Sequence, residues 1–201
     1  MGALRRIVLV RHGETDGRSS VRFLGATDVP LADEGRAQMS RVARELDELF
    51  DRVVASPLRR SWQSAWIVGR GAPVALEPDF CEVDFGRWEG LTREEIERSD
   101  PIRAEDWRAG AEGFAYPGGE SRADFRARVA RGLERLLAAD ARSALVVVHK
   151  GVIRVVAELL TGEAPSHEEP PIAGAIDLTR DGDTWFRGRR SSNPPGLEAS
   201  A

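Results

Sequence analysis

Short apolar runs alternate along the chain with longer segments in which apolar positions recur every three or four residues. The runs Leu4–Val10 and Ala144–Val148 are rich in β-branched residues and almost uninterrupted, which is typical of strands buried on both faces of a parallel sheet. Arg52–Ala55 and Val74–Leu76 are shorter candidates for the same sheet. Strands that alternate with helical segments predict an α/β fold.

Amphipathic helices are predicted between these strands. The segment Asp33–Phe50 has a single apolar stripe, and Ser121 with Asp124 opens a second helix of this kind. Ser56-Pro57 predicts a helix start, with serine as the N-cap and proline in the first position, and this helix should run to about Val68. Gly151–Leu160 is apolar on most sides. The stripes consist of Met39, Val42, Ala43, Leu46 and Leu49 in the first helix, and of Phe125, Val129, Leu133, Leu136 and Leu137 in the second.

The end of the chain and its middle differ from this alternation. Ala173–Leu178 and Thr184–Arg187, joined through Asp181-Gly182, predict a closing antiparallel hairpin. The stretch 81–121 has no steady periodicity, although Thr92 followed by Glu95 predicts the capping box of a short helix. This stretch is therefore interpreted as an excursion over the carboxyl edge of the sheet.

These elements predict a three-layer α/β/α sandwich with a mostly parallel central sheet and an antiparallel edge from the C-terminal hairpin. With 201 residues the chain has the length of one ordinary domain. We predict a single domain over residues 1–192, in which residues 92–121 form the excursion over the active site. Residues 193–201 are predicted to be a flexible tail.

Composition narrows the class of partner. The chain is 41% hydrophobic and 31% charged, and its net charge of −4 argues against nucleic acid as a ligand. Cys81 is the sole cysteine, so an internal disulfide is excluded and a reducing compartment is favoured. A strand begins within a few residues of Met1, and no apolar stretch is long enough to span a bilayer. We therefore expect a cytoplasmic protein without a membrane partner.

Three residues that bind anions well occur where predicted strands lead into helices. His12 follows the first strand beside Arg11, Arg60 lies in the first turn after Ser56, and His149 ends the strand Ala144–Val148. Parallel strands bring their carboxyl ends to one edge of a sheet, where ligands bind. Taken singly, Arg60 could be a solvated helix charge and His149 a core histidine. Together, two imidazoles and two guanidiniums predict a cradle for a phosphoryl group.

Five short motifs also follow one another in an order found in a known enzyme family. They resemble the motif set of the histidine phosphatase (phosphoglycerate mutase-like) superfamily, and the resemblance extends from Leu4 to about Leu160. The motifs are Arg11-His12-Gly13-Glu14-Thr15, Ser56-Pro57-Leu58-Arg59-Arg60, the stretch from Cys81 to Gly90, Tyr116-Pro117-Gly118-Gly119-Glu120-Ser121 and Val148-His149-Lys150-Gly151.

The resemblance implies a role for five residues. His12 would be the nucleophile that becomes phosphohistidine, while Arg11, Arg60 and His149 would hold the phosphoryl oxygens. Glu82 would be the proton donor and later the base. The chemistry agrees, because flanking guanidiniums disfavour a protonated imidazole and stabilise the charge of the transition state. With this much positive charge, no metal or cofactor is expected.

The proton donor must keep its proton near neutral pH, and this requires an apolar surround. Phe80, Phe85 and Trp88 are the predicted neighbours of Glu82. By residue type alone other acids are equally available, and only the motif singles out Glu82. These other acids are Glu14, Glu89, Glu94 and Glu95.

The chain departs from the family pattern at two positions. Arg18 stands where the family usually has an asparagine that binds the phosphoryl group; its guanidinium either adds charge to the pocket or turns away and leaves Arg22 nearer the substrate. Lys150 follows the second histidine where glycine is common, and it either reaches an anionic substrate or stays solvated. Thr15 and Gly25 are further candidates for lining the phosphate end.

The form Asp-Phe-Gly-x-Trp-Glu-Gly over residues 84–90 resembles the phosphatase branch, similar to α-ribazole phosphatases. We therefore predict hydrolysis of small-molecule phosphomonoesters through a phosphohistidine on His12, with a small phosphorylated metabolite as the partner. The alternatives are a cofactor-dependent phosphoglycerate mutase and a non-catalytic module that binds a phospho-ligand or a protein. The excursion, with Trp107, Phe114 and Tyr116, is predicted to supply the leaving-group pocket. A homodimer is left open.

Overall fold

One mixed sheet of six strands organises residues 4–188, the part of the chain that the computed structural model describes. The strand order is β3-β2-β4-β1-β5-β6, in which the first four strands are parallel and the last two are antiparallel. This confirms the mostly parallel sheet with a C-terminal antiparallel edge. The strands are β1 (Arg6–Arg11), β2 (Arg52–Ala55), β3 (Val74–Leu76), β4 (Ser143–Val148), β5 (Ala175–Asp181) and β6 (Thr184–Arg187).

Helices cover both faces of the sheet. Alternate strand residues belong to two separate apolar cores: Val147 packs with Met39 and Ala65 on one face, and Val146 packs with Val129 and Val156 on the other. The predicted three-layer sandwich is thereby confirmed. The helices are α1 (Asp33–Leu46), α2 (Arg59–Val68), α3 (Arg93–Ser99), α4 (Pro101–Ala109), α5 (Arg122–Leu137) and α6 (Lys150–Thr161).

The register of the parallel strands aligns the ends of β1, β2 and β4. Arg11 pairs with Val148, and Ala55 pairs with Val147, so β4 lies between two strands that end at nearly the same level. The residues that follow these strands therefore leave the sheet side by side.

The first helix is shorter than predicted. Asp47 adopts a left-handed conformation with φ of 38°, and its N–H closes the last turn on Ala43. Leu49 consequently lies outside the helix and is 81% exposed, so its assignment to the buried stripe is wrong. Met39, Val42 and Leu46 are buried as predicted.

The helix predicted to start at Ser56-Pro57 starts later. Leu58 is still extended, with ψ of 135°, and α2 begins at Arg59. The hydroxyl of Ser56 accepts a hydrogen bond from the Leu58 N–H at 3.2 Å and also contacts His149. Ser56 is thus not the N-cap of α2, because Leu58 is the residue that directly precedes the helix.

The excursion is held together by its own aromatic core. Thr92 and Glu95 form the predicted capping box at the start of α3. Phe114 and Tyr116 are only 3% and 8% exposed, so their rings serve internal packing first, whereas Trp107 is partly buried. Ring centroids 4.9 to 6.3 Å apart, mostly in edge-to-face contacts, link Phe23, Phe85, Trp88, Trp107, Phe114 and Tyr116.

Two predictions concern the ends of the described chain. The C-terminal hairpin forms, but its turn residues are Gly182 and Asp183, one position later than expected. The predicted tail 193–201 lies outside the described residues. Within residues 4–188, no helix combines the length and the apolar character that crossing a bilayer requires.

Replacing a leucine of the central strand should test how far the sheet core determines stability. Leu145 is fully buried in β4, so Leu145→Ala should lower the free energy of unfolding by about 2–5 kcal/mol through lost contacts and a residual cavity. The matched control Leu49→Ala, at a mostly exposed leucine, should change it by less than about 0.5 kcal/mol. Urea denaturation measures both. Equal effects of the two changes would contradict the observed burial.

Candidate active site

The ends of β1 and β4 bring two histidines together. The backbone N–H of His12 donates to the Val148 carbonyl at 3.0 Å, which ties the residue after β1 to the end of β4. The His12 and His149 ring centroids are 5.2 Å apart, and the two residues are 3% and 0% exposed. Residues 137 positions apart in sequence thus share one buried pocket.

A backbone carbonyl defines the protonation of His12. Its Nδ1 lies 2.8 Å from the carbonyl oxygen of Gly13, and because a carbonyl can only accept, Nδ1 carries the hydrogen. Burial lowers the pKa of His12 well below its ordinary value, and the charges of Arg60 and Arg11 act in the same direction. The ring is therefore neutral at pH 7, with its lone pair on Nε2.

His149 is oriented by Ser56. Its Nε2 lies 2.9 Å from the Ser56 hydroxyl, which is fully buried. When the Ser56 hydroxyl donates its hydrogen to Nε2, the hydrogen of the neutral His149 ring lies on Nδ1, which has no protein partner. Burial, followed by the charge of Arg60, lowers the pKa of His149 well below its ordinary value.

The guanidinium of Arg60 is fully buried and is held by backbone carbonyls. Its Nη1 donates to Thr27 at 2.7 Å, and its Nη2 donates to Leu24 at 3.1 Å and to Gly25 at 2.6 Å. Burial lowers the pKa of Arg60, although the nearby carboxylate of Glu82 opposes this. The carbonyls orient the cation without neutralising it, so its charge remains available to an anion.

Three nitrogens of the pocket have no protein partner. Among residues 4–188, four buried side-chain polar atoms lack a hydrogen bond, namely Nε of Arg11, Arg60 and Arg180 and Nδ1 of His149. Buried polar groups are nearly always paired, so such atoms call for an explanation. Three of the four lie on the residues gathered at the ends of β1 and β4 and at the start of α2. This donor set fits a tetrahedral oxyanion.

A buried carboxyl group lies across from these donors. Glu82 is 8% exposed; its Oε1 accepts from the Val83 N–H at 3.1 Å and its Oε2 from the Gly151 N–H at 3.0 Å. Burial raises its pKa, and the two backbone hydrogen bonds together with Arg60 and Arg11 offset only part of that rise. Glu82 is thus the acid of the pocket that retains a proton most readily.

The other candidate acids have surroundings different from those that raise the pKa of Glu82. For Glu14, Glu94 and Glu95, hydrogen bonds from nearby backbone and hydroxyl groups outweigh burial and lower the pKa. The carboxylate of Glu89 instead accepts from the N–H groups of residues 25–27, where it holds the loop that orients Arg60. Glu82 thus differs from Glu14, Glu94 and Glu95 in having a raised pKa, and burial is the cause.

Gly151 makes room for the carboxyl of Glu82. A Cβ atom at Gly151 would lie 2.4 Å from Oε1 of Glu82 and 3.1 Å from Cζ of Phe125. A side chain at this position would therefore displace the acid. The ring of Phe125, which the sequence predicts only as part of a helix stripe, lies beside Gly151 and the Glu82 carboxyl.

Residues 7–180 match the family model described as "Histidine phosphatase superfamily (branch 1)". The chain belongs to the histidine phosphatase superfamily. The match covers both histidines, Arg60 and Glu82, and it agrees with the family inferred from the order of the motifs.

Curated members of this superfamily include three informative relatives. The adenosylcobalamin/alpha-ribazole phosphatase of Salmonella typhimurium is 33% identical over 166 residues, covering 80% of this chain and 82% of that protein. The glucosyl-3-phosphoglycerate phosphatase of Mycobacterium tuberculosis is 31% identical over 182 residues, covering 85% and 81%. A bifunctional protein of Mycobacterium tuberculosis is 33% identical over 163 residues, or 79% of this chain, but the match spans only 44% of that protein's length.

A solved structure supports the same assignment. The alpha-ribazole phosphatase from Shigella flexneri aligns with a TM-score of 0.78 at 25% identity, over 96% of this chain and 100% of that chain. The predicted histidine phosphatase fold is confirmed. The predicted class of enzyme, a phosphomonoester hydrolase, agrees with the names of these relatives.

Arg18, at the position of the family asparagine, and Arg22, the alternative arginine, have different surroundings. Arg18 has a left-handed backbone with φ of 57°, and it lines a cavity of about 550 Å³ with Glu14 and Asp16 that neither His12 nor His149 lines. The guanidinium of Arg22 donates to the Gly90 carbonyl at 2.6 Å and to Glu95 at 3.1 Å. Arg22 is thus engaged with the excursion, and Arg18 lies in a cavity that the two histidines do not line.

The remaining candidates, Thr15, Gly25 and Lys150, lie in three different environments. Thr15 is 1% exposed, and its hydroxyl accepts from the Ser19 N–H at 3.1 Å, so it shapes the loop after His12. Gly25 allows close packing, because a Cβ there would lie 1.8 Å from the Val83 carbonyl oxygen. Lys150 is half-buried at the start of α6; burial and the charges of Arg11 and Arg154 lower its pKa.

Sequence reasoning missed several residues that support the site. The sequence predicts Ser56 as a helix cap, offers Glu89 only as a rival acid, and predicts no role for Gly151. For Glu89 the signal was its place in the motif over residues 84–90. For Ser56 the signal was likewise its place in the motif over residues 56–60, although its contact with His149 joins residues 93 positions apart.

The two pocket histidines should remain neutral on mild acidification. Since both pKa values are lowered well below 6.5, the ring signals of His12 and His149 should not titrate between pH 7.5 and 6 in ¹⁵N-correlated NMR spectra. The chain has three histidines, so His167→Gln leaves only these two for assignment. His12 should show a protonated Nδ1 and an unprotonated Nε2. Titration of either ring near pH 6.5 would contradict the assigned environment.

Proposed function

We propose that this chain hydrolyses small phosphomonoesters in two steps through a phosphohistidine on Nε2 of His12. The observation that carries the proposal is the set of unpartnered buried nitrogens on Arg11, Arg60 and His149, gathered around a neutral imidazole. A phosphoryl group supplies the oxygens that these donors lack. Glu82 then supplies what a pure binding site would not need, a buried acid.

In the first step, the lone pair on Nε2 of His12 attacks phosphorus in line, and the bond from phosphorus to the ester oxygen breaks. The proton of Glu82 passes to that oxygen, so the leaving group departs as a neutral alcohol. The hydrogen stays on Nδ1 of His12, where it is donated to the Gly13 carbonyl, and this hydrogen bond supports the positive charge of the phosphorylated ring. Arg11, Arg60 and His149 stabilise the equatorial oxygens, an effect worth on the order of 10³–10⁵ in rate for a well-placed arginine.

In the second step, water takes the place of the alcohol. The Glu82 carboxylate accepts a proton from the water as its oxygen attacks phosphorus, and the bond to Nε2 breaks. Inorganic phosphate leaves, and Glu82 is protonated again. The same group thus serves as acid and then as base, as microscopic reversibility requires.

The substrate is proposed to be a small phosphorylated metabolite in the cytoplasm. The relatives are named for phosphatase activity on glucosyl-3-phosphoglycerate and on α-ribazole phosphate, so these two compounds are the first substrates to compare. The naming of these relatives favours hydrolysis over the mutase alternative. The single cysteine, Cys81, is consistent with a reducing compartment.

The phosphoenzyme can be trapped directly. Rapid mixing of the protein with ³²P-labelled phosphoester, followed by quenching in alkali, should yield a label that is stable to base and labile to acid. His12→Ala should carry none, because it lacks the attacking nitrogen. His167→Ala, which changes a histidine outside the pocket, should be labelled like the wild type. A wild type that hydrolyses the ester without ever carrying label would contradict the covalent step.

Glu82→Gln should separate proton donation from the rest of the site. The amide keeps the size of the side chain but has no acidic proton, so phosphorylation by an alkyl phosphate should slow by about 10²–10⁴-fold. Phosphorylation by p-nitrophenyl phosphate should slow far less, because nitrophenolate leaves without a proton. The burst of product in the first turnover measures this step. An equal loss with both esters would show that Glu82 is not the proton donor.

A further inference from the structure

A buried arginine on α5 holds the backbone that carries the proposed acid. The side chain of Arg128 is 16% exposed. Its Nη1 donates to the Cys81 carbonyl at 2.6 Å and to the Asp79 carbonyl at 2.9 Å, and its Nη2 donates to the Glu82 carbonyl at 2.9 Å. Three carbonyls of one four-residue segment thus converge on one guanidinium.

Glu120 completes this arrangement. Its carboxylate receives Nε of Arg128 at 2.8 Å and Nη2 at 2.9 Å, a fork that sets the plane of the guanidinium. The backbone N–H of Glu120 donates to the Asp84 carbonyl at 3.0 Å, so the same residue also holds the segment after Glu82. Both charged side chains are mostly buried, and each is the other's counter-ion.

The acid is consequently held at both ends. Its backbone is fixed by Arg128, while its carboxyl oxygens are fixed by the Val83 and Gly151 N–H groups. We propose that Arg128, with Glu120 as its anchor, is a positioning residue that sets the distance from the Glu82 carboxyl to the ester oxygen of the substrate. This inference rests on the proposed function, in which Glu82 protonates the leaving group.

The geometry requires arginine and requires its counter-ion. Lysine cannot donate in one plane to several carbonyls and to a carboxylate at once. An unpaired cation behind Glu82 would also favour the ionised form of that acid. Glu120 removes this difficulty, because it compensates the charge of Arg128 while leaving its hydrogen bonds to the loop intact.

Four variants distinguish a positioning role of Arg128 from an effect of its charge and from an effect on overall stability. Arg128→Lys keeps the charge and loses the fork, Arg128→Gln loses both, and Glu120→Gln loosens the anchor. Arg126→Gln is the matched control, since Arg126 lies on the same helix and pairs with Glu158 at 2.9 Å, away from the acid. Thermal unfolding establishes that each variant is folded, and Glu120→Gln carries the test if the changes at Arg128 prevent folding.

In Arg128→Lys, kcat with an alkyl phosphate should fall on the order of 10–100-fold, which is the effect of misplacing a catalytic group by about 1 Å. The loss with p-nitrophenyl phosphate should be several-fold smaller, and KM should change little. The alkaline limb of the pH profile should move to lower pH, because a loosened carboxyl becomes hydrated and its pKa returns toward the ordinary value. Glu120→Gln should act in the same direction, and Arg126→Gln should match the wild type.

Two results would overturn the inference, and they differ. Folded Arg128 and Glu120 variants that keep the wild-type ratio of rates on the two esters and the wild-type pH profile would contradict the positioning role alone. A wild type without activity on any phosphoester would contradict the proposed function, and this inference with it. A fall in thermal stability without a change in leaving-group dependence counts against positioning, since a structural role alone would produce it.

Discussion

Burial of charge at the ends of β1, β2 and β4 is the constraint on which the rest of this structure depends. The register of the parallel strands places His12, Ser56 and His149 side by side, and α2 adds the buried cation of Arg60. In this setting burial lowers the pKa of both imidazoles and raises that of Glu82. One physical cause therefore favours the uncharged form of both groups, the neutral imidazole of the nucleophile and the protonated carboxyl of the acid.

The backbone controls how these charges are used. Arg60 and Arg128 are both held by carbonyls of loops, three for each guanidinium, and carbonyls orient a cation without cancelling its charge. The two differ in their counter-ions. Arg128 is paired with Glu120, whereas Arg60 keeps an unpartnered Nε in the pocket. Arg128 therefore holds the backbone of residues 79–82, and the charge of Arg60 remains available to an anion.

The sheet could be predicted from the sequence, because β1 and β4 are continuous apolar runs. Such runs are visible locally, and the structure buries them. The convergence of His12 and His149 followed from the topology of parallel strands. Leu49 was assigned wrongly because the backbone of Asp47 ends the helix before it, and periodicity cannot report such a turn. Ser56 and Arg128 escaped notice for another reason. Ser56 contacts His149 at 93 positions along the chain and Arg128 contacts the Glu82 carbonyl at 46, and the identity of neither residue indicates such a contact.

The buried titratable groups of the pocket also lower the free energy of unfolding, by an amount that depends on pH. The lowered histidine pKa values mean that the unfolded chain binds more protons below pH 6.5, so stability falls as pH decreases through that region. The raised pKa of Glu82 acts oppositely: the folded chain binds the extra proton, and stability falls as pH rises above 4.5. Between pH 4.5 and 6.5 the two effects oppose each other, because acidification lowers stability through the histidines and raises it through Glu82. A bound oxyanion that pairs with Arg11, Arg60 and His149 would offset both losses, because it binds the folded chain alone.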